Sequence, residues 1–144
     1  MRYLAIDPGA KRIGLAVGDG VTQVVTPIGV VTAGSDEQRL RLLIEAIDTQ
    51  QPDALVVGLP LNMDDSEGPA ATGARALAER LTQATGLIAH LFDERLSSFA
   101  ADEQMAGAGL TRDQKKARRD ALAAAAILRG FLESHGPGAP DGKF

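Results

Sequence analysis

Four acids stand out for where they fall in the chain. Asp7 ends an alternating run that opens at Arg2. Asp93 and Glu94 follow a second such run, Leu87 to Phe92. Asp120 sits inside a helical pattern whose other members are apolar. Carboxylates that gather without histidine or cysteine suit hard cations such as Mg²⁺ or Mn²⁺. Two such ions about 4 Å apart activate water and stabilise the leaving oxygen of a phosphodiester. Each acid also has an ordinary reading. Asp7 is a turn acid before Pro8, Asp93 and Glu94 are solvated, and Asp120 pairs with Lys116 or Arg119. All of them together, at strand ends and on an apolar stripe, favour a shared site.

The elements that would position these acids follow from periodicity. Arg2 to Asp7 reads as a strand, with Tyr3, Ala5 and Asp7 on one face and Leu4 and Ile6 on the other. After the Pro8-Gly9 turn, Arg12 to Gly18 alternates Ile13, Leu15 and Val17 with Gly14, Ala16 and Gly18. Asp19-Gly20 is a hairpin signal, and Val24 to Val31 follows as a third strand. Pro27 places that strand at an edge or a bulge. Ser35 to Gln38 fits a capping box ahead of Leu40, Leu43, Ile44 and Ile47. Ala54 to Gly58 reads as a buried parallel strand. Residues 59–69 form a polar loop. Ala74, Leu77, Ala78 and Leu81 mark a second helix stopped by Gly86. Leu87 to Phe92 is the last strand, Ser97 or Ser98 caps a short helix up to Gly107, and Thr111 to Gln114 opens a long helix running towards Glu133.

Three antiparallel strands and then two helix–strand crossovers predict an α/β fold. The sheet is mixed and five-stranded, three antiparallel strands then two parallel ones, flanked by helices, with right-handed crossovers. The first and last strands then run the same way, so Asp7 and the Asp93-Glu94 pair gather at one edge, where such sheets place their sites. On the last helix Ala117, Asp120, Ala124, Ile127 and Phe131 share a stripe facing the sheet. A carboxylate there is costly unless paired or metal-bound. The alanine-rich run 121–126 is small enough to let the helix lie close, carrying Asp120 towards Asp7.

Composition narrows the classes. A chain of 144 residues fits one domain, 1–135, with 136–144 a flexible glycine- and proline-rich tail. The absence of cysteine excludes disulfides, thiolate zinc sites and a cysteine nucleophile, and it fits a cytoplasmic setting. The N-terminus lacks the pattern of a signal peptide, and no apolar run approaches the roughly 18 residues of a membrane span. A net charge of −4 excludes a generic basic nucleic-acid coat, so any such surface is a local patch.

Four ordered segments carry a family resemblance. Asp7-Pro-Gly-Ala-Lys-Arg-Ile-Gly-Leu-Ala-Val-Gly-Asp19 resembles the first motif of the YqgF (RuvX) family, and Val57-Gly-Leu-Pro-Leu-Asn62 its second. Asp93-Glu-Arg-Leu-Ser-Ser98 resembles the third, where threonines are usual at the last two places. Lys115-Lys-Ala-Arg-Arg-Asp120-Ala-Leu-Ala-Ala resembles the fourth. Ala10 and Gly18 depart from the commoner small polar residues and touch no proposed ligand. The resemblance spans residues 3–133. It implies an RNase H-like fold and a nuclease of the pre-16S rRNA processing, Holliday-junction-resolvase-like kind. It also implies that Asp7, an acid of the Asp93-Glu94 pair and Asp120 are catalytic, with Glu94 preferred over Asp93, and that Asp7, Glu94 and Asp120 ligate Mg²⁺ or Mn²⁺. The implied partner is nucleic acid, RNA before branched DNA. The chain is expected to act as a monomer or weak homodimer.

The expected substrate contacts are Lys11 and Arg12 on the first hairpin, Asn62, Arg95, and the helix-start cluster Arg112, Lys115, Lys116 and Arg119. For the hairpin and the helix start, a solvated charged face is the competing reading. Gly58, Pro60 and Asn62 also shape a loop. Two other functions compete with cutting. A nucleotide-binding module of the actin-like kind needs two such domains, and this chain supplies one. A non-cutting RNA-binding assembly factor has no need of the full acid set.

Overall fold

The computed structural model describes residues 1–9, 12–97 and 111–135. β1 (Arg2–Pro8), β2 (Arg12–Asp19) and β3 (Val25–Thr32) are followed by α1 (Asp36–Gln50), β4 (Ala54–Leu59), α2 (Pro69–Thr85) and β5 (Ala89–Asp93). A single 3₁₀ turn, Glu94–Leu96, follows β5, and α3 (Arg112–His135) comes last. The sheet order is β3-β2-β1-β4-β5. β1–β2 and β2–β3 pair antiparallel, while β1–β4 and β4–β5 pair parallel. This is the mixed five-stranded α/β sheet expected from the sequence.

Local chemistry explains the element ends. Ser35 accepts from the Gln38 amide at 3.1 Å, while the Gln38 side chain takes the Gly34 amide rather than that of Ser35. Thr111 and Gln114 form the full reciprocal box at the start of α3. β3 is an edge strand, and its register against β2 shifts between Leu15 and Ala16, opposite Gly29 and Pro27. Pro27 thus sits beside the irregularity, as a residue lacking an amide donor requires. β5 starts two residues later than expected: Leu87 and Ile88 precede the ladder, although the Ile88 carbonyl already accepts from the Leu55 amide at 2.8 Å. The helix expected between Ser97 or Ser98 and Gly107, and the tail at 136–144, lie outside the described residues.

Strand alternation divides the core into two layers. Leu4, Ile6, Ile13, Leu15, Val17, Leu55, Val57 and Leu59 pack under α1 and α2. Tyr3, Ala5, Ala16, Ala54 and Val56 pack under α3 with Ala124, Ala125, Ile127, Leu128 and Phe131. One face of the sheet is built of bulky aliphatics; the other mixes small residues with Tyr3, Val56 and Phe92. No helix among the described residues is long and apolar enough to cross a membrane.

Candidate active site

Asp7 lies at the end of β1, opposite Gly14 of β2, and by alternation faces α3 with Tyr3 and Ala5. Glu94 opens the 3₁₀ turn directly after β5. The Glu94 carboxyl lies over Gly58 of β4. A Cβ at position 58 would stand 2.7 Å from Glu94 Oε1 and 2.7 Å from Ile127 Cδ1. A glycine is what lets the carboxyl and α3 both close over this strand end.

Asp7 and Glu94 share a hydrogen bond. Burial pushes Glu94 up to about 8, and the Asp7 carboxylate adds to this as acceptor and as neighbouring charge. Burial also raises Asp7; the hydrogen bond from Glu94 opposes that rise and the charge of Asp120 adds to it. Two half-buried acids are thus held beside each other, one of them protonated near neutral pH.

Asp120 reaches the same edge because α3 lies against β2. A Cβ on Gly14 would collide with the Asp120 carbonyl, so only glycine at 14 allows this approach. The Asp120 carboxylate, half-buried, accepts from Arg12 Nε at 2.6 Å. Its charge is felt at Asp7, but Arg12 holds it. Among the described residues no three acids or histidines stand close enough together to hold a metal ion. The expected three-carboxylate set is therefore an Asp7–Glu94 pair plus an Asp120 occupied by an arginine. Helical spacing suggests Lys116 and Arg119 as its partners; the ion pair seen at Asp120 is made from the sheet, by Arg12.

Asp93 is placed differently from Glu94, although the two are adjacent. It accepts from the Arg95 amide at 2.9 Å and caps the turn, and its carboxylate pairs with the Arg95 guanidinium at 2.7 Å. That arginine holds Asp93 below the usual carboxylate range. Arg95 also reaches Asp65 at 2.8 Å and donates to the Asn62 carbonyl at 3.0 Å. The Asn62 side chain is turned to Ser66 Oγ at 3.0 Å. Asp93, Arg95 and Asn62, expected as catalytic or substrate groups, are thus engaged with one another. They tie the loop after β4 to the turn that carries Glu94. Asp65, at φ +69°, joins this cluster, and an isolated loop acid carries no sequence signal of its partner.

Arg112, Lys115, Lys116 and Arg119 are exposed on the first two turns of α3, just before Asp120. Lys11 lies outside the described residues.

The donor set is oxygen only, which fits a hard cation. Two half-buried carboxyls held side by side repel when both ionise, and a dication bound between them would relieve that repulsion. Asp120 would complete the set once Arg12 releases it.

Residues 1–134 match the family described as RuvX, Holliday junction resolvase. A protein of Anaeromyxobacter sp. (strain Fw109-5) described as "Putative pre-16S rRNA nuclease" is 45% identical over 133 residues, covering 92% of this chain and 97% of its own. A relative with the same description from Myxococcus xanthus (strain DK1622) is 39% identical, covering 95% of this chain and 91% of its own. In three dimensions the chain resembles RuvC of T. thermophilus, solved in complex with a Holliday junction substrate. The TM-score is 0.60 at 18% identity, over 93% of this chain and 96% of that one. This last likeness speaks for the fold, which is that of the RNase H-like resolvases.

Proposed function

The chain belongs to the RuvX, Holliday junction resolvase, family, and on that premise we propose that it is a metal-dependent nuclease that trims the end of pre-16S rRNA during ribosome biogenesis in the cytoplasm. The observation that carries this is the Asp7–Glu94 pair, two half-buried acids hydrogen-bonded at one strand edge with the charge of Asp120 felt beside them. Acids whose environments push them this far from ordinary behaviour mark sites of chemistry. Mg²⁺ or Mn²⁺ bound there supplies an activated water and a counter-charge for the leaving oxygen. Asp7, Glu94 and Asp120 are the groups that would hold it, and Asp93 serves to set the turn that presents Glu94. Arg12, partly exposed, holds Asp120; a backbone phosphate is the natural competitor for its guanidinium. The exposed cations of the first turns of α3 bind the phosphate backbone beside the acids.

A second substrate is favoured by the family itself: a four-way DNA junction. Purified protein is incubated with labelled pre-rRNA, single-stranded RNA and a DNA junction, each with Mg²⁺, Mn²⁺ or EDTA. The proposal expects cutting of the pre-rRNA that EDTA abolishes. Junction cleavage in its place would move the substrate to branched DNA. Binding without cutting under every metal condition would leave an RNA-binding assembly factor.

A further inference from the structure

Asp7 faces α3, but Pro8, the next residue, faces the opposite layer. There, at the same end of β1, a cavity of about 310 Å³ opens between the first turns of α1 and the body of α2. Pro8 and Gly9 form one wall. Gly73, Ala76 and Leu77 of α2 form an apolar floor, and Arg39 and Arg80 stand over it. Arg39 lies 3.8 Å from Asp36, a long and partly exposed pair. Arg80 is exposed and makes no ion pair with a described residue. A Cβ at Gly73 would meet nothing within 4 Å, so the space above the floor is open rather than needed by packing.

The two arginines suit phosphate, and they sit beside apolar surface of a kind that takes a planar ring. The volume exceeds what a phosphate requires and reaches the lower end of ligand pockets, about 300 Å³. We infer that this cavity is a subsite for one unpaired nucleotide of the substrate strand. Its phosphate lies on Arg39 and Arg80 and its base on the Gly73–Leu77 floor. The strand crosses the end of β1 between the subsite and the acid pair. This rests on the nuclease reading and adds to it a second contact, on the far side of β1, that selects single-stranded over fully paired substrate.

Affinity is read by fluorescence anisotropy in EDTA, so that cleavage does not interfere. The probes are a labelled single-stranded RNA and a paired duplex of the same sequence, against wild type, Arg80→Gln and Gly73→Leu. Both variants should melt like wild type. Both should bind the single strand about fivefold or more weakly while duplex binding barely changes, and Arg80→Gln alone should flatten the salt dependence by about one unit of slope. If the leucine does not fold, Gly73→Gln fills the same space with a polar end. Equal single-strand affinity in wild type and both variants overturns the subsite and leaves the nuclease reading standing, provided wild type cuts when Mn²⁺ is restored. A loss for Arg80→Gln without one for the filled cavity means an open phosphate contact and also overturns the pocket. A wild type that neither binds nor cuts any strand sinks both readings.

Discussion

The two faces of the sheet are built to different rules. Under α1 and α2, β1, β2 and β4 present Leu4, Ile6, Ile13, Leu15, Val17, Leu55 and Val57. Under α3 the same three strands present mostly small residues, Ala5, Gly14, Ala16, Gly18, Ala54 and Gly58, beside Tyr3 and Val56. Larger side chains bury more apolar surface each. The thin face gives up side-chain volume so that α3 can approach, and Asp7, Glu94 and Asp120 all lie on that side. Where helix and sheet lie this close, the charge of a carboxylate on one is felt at a carboxylate on the other. Small residues here position polar groups, while large ones on the opposite face pack the sheet against α1 and α2.

The largest expected effect that would sharpen this contrast is on the thin face. Asp7→Asn keeps shape and hydrogen-bonding capacity but removes the charge a hard cation needs. Cleavage should fall about 10³-fold or more, equivalent to about 4 kcal/mol, with the fold intact. A steady-state assay at equal folded fraction checks it. On the bulky face the result should invert. Leu55→Ala, at a fully buried position, should cost about 2–5 kcal/mol of stability by urea denaturation. Activity per folded molecule should stay near wild type. If Leu55→Ala silenced the enzyme without unfolding it, the division of labour between the faces would break.

A third prediction concerns the shared proton. Glu94 titrates at about 8 when folded, against an ordinary 4.5. Between these values the folded protein keeps a proton that the unfolded chain has lost. Stability is therefore full below about 4.5, falls as pH rises towards 8, and then levels. Glu94→Gln removes this dependence, so the variant should gain on the order of 1–2 kcal/mol over wild type at pH 8 and lose that advantage at acid pH. Parallel pH profiles for the two proteins would show the site to be unstrained. The smallest effect lies at the rim. Neutralising Lys115 and Lys116 should weaken substrate binding for all sequences and lower the salt slope by about one unit per lost contact. Unchanged affinity and slope would return these residues to a solvated helix face.

Much of this was legible from periodicity. The order of strands, the edge position of Pro27, the start of the long helix at Thr111 and the gathering of Asp7 with Glu94 all follow from alternation and caps that act over a few residues. The small-residue face was legible too, in the pairing of Ile13, Leu15 and Val17 with Gly14, Ala16 and Gly18. Its consequence at Gly14, where the Asp120 carbonyl takes the place of a side chain, needs the helix in position. What the sequence did not show were partner choices made across long separations. Arg12 takes Asp120 from 108 residues away, and Arg95 joins Asp93 to Asp65 across the β4 loop. Adjacent Asp93 and Glu94 look equivalent as letters. One is paired with an arginine and the other is held beside Asp7, and only the fold decides which.

The account rests on Asp7 and Glu94 acting with Asp120 as one cation-binding set, and a binding equilibrium tests this without reference to substrate. Thermal melts of wild type and Asp7→Asn are compared with EDTA and with rising Mg²⁺ or Mn²⁺. Ligand that binds the native state raises stability by about 2.7 kcal/mol at a concentration of about 100 Kd. The account predicts that wild type gains stability with metal, that Asp7→Asn matches or exceeds wild type in EDTA, and that the variant gains much less from metal. Equal metal-dependent shifts in both proteins, or a variant destabilised in EDTA with no metal effect in either, would contradict it.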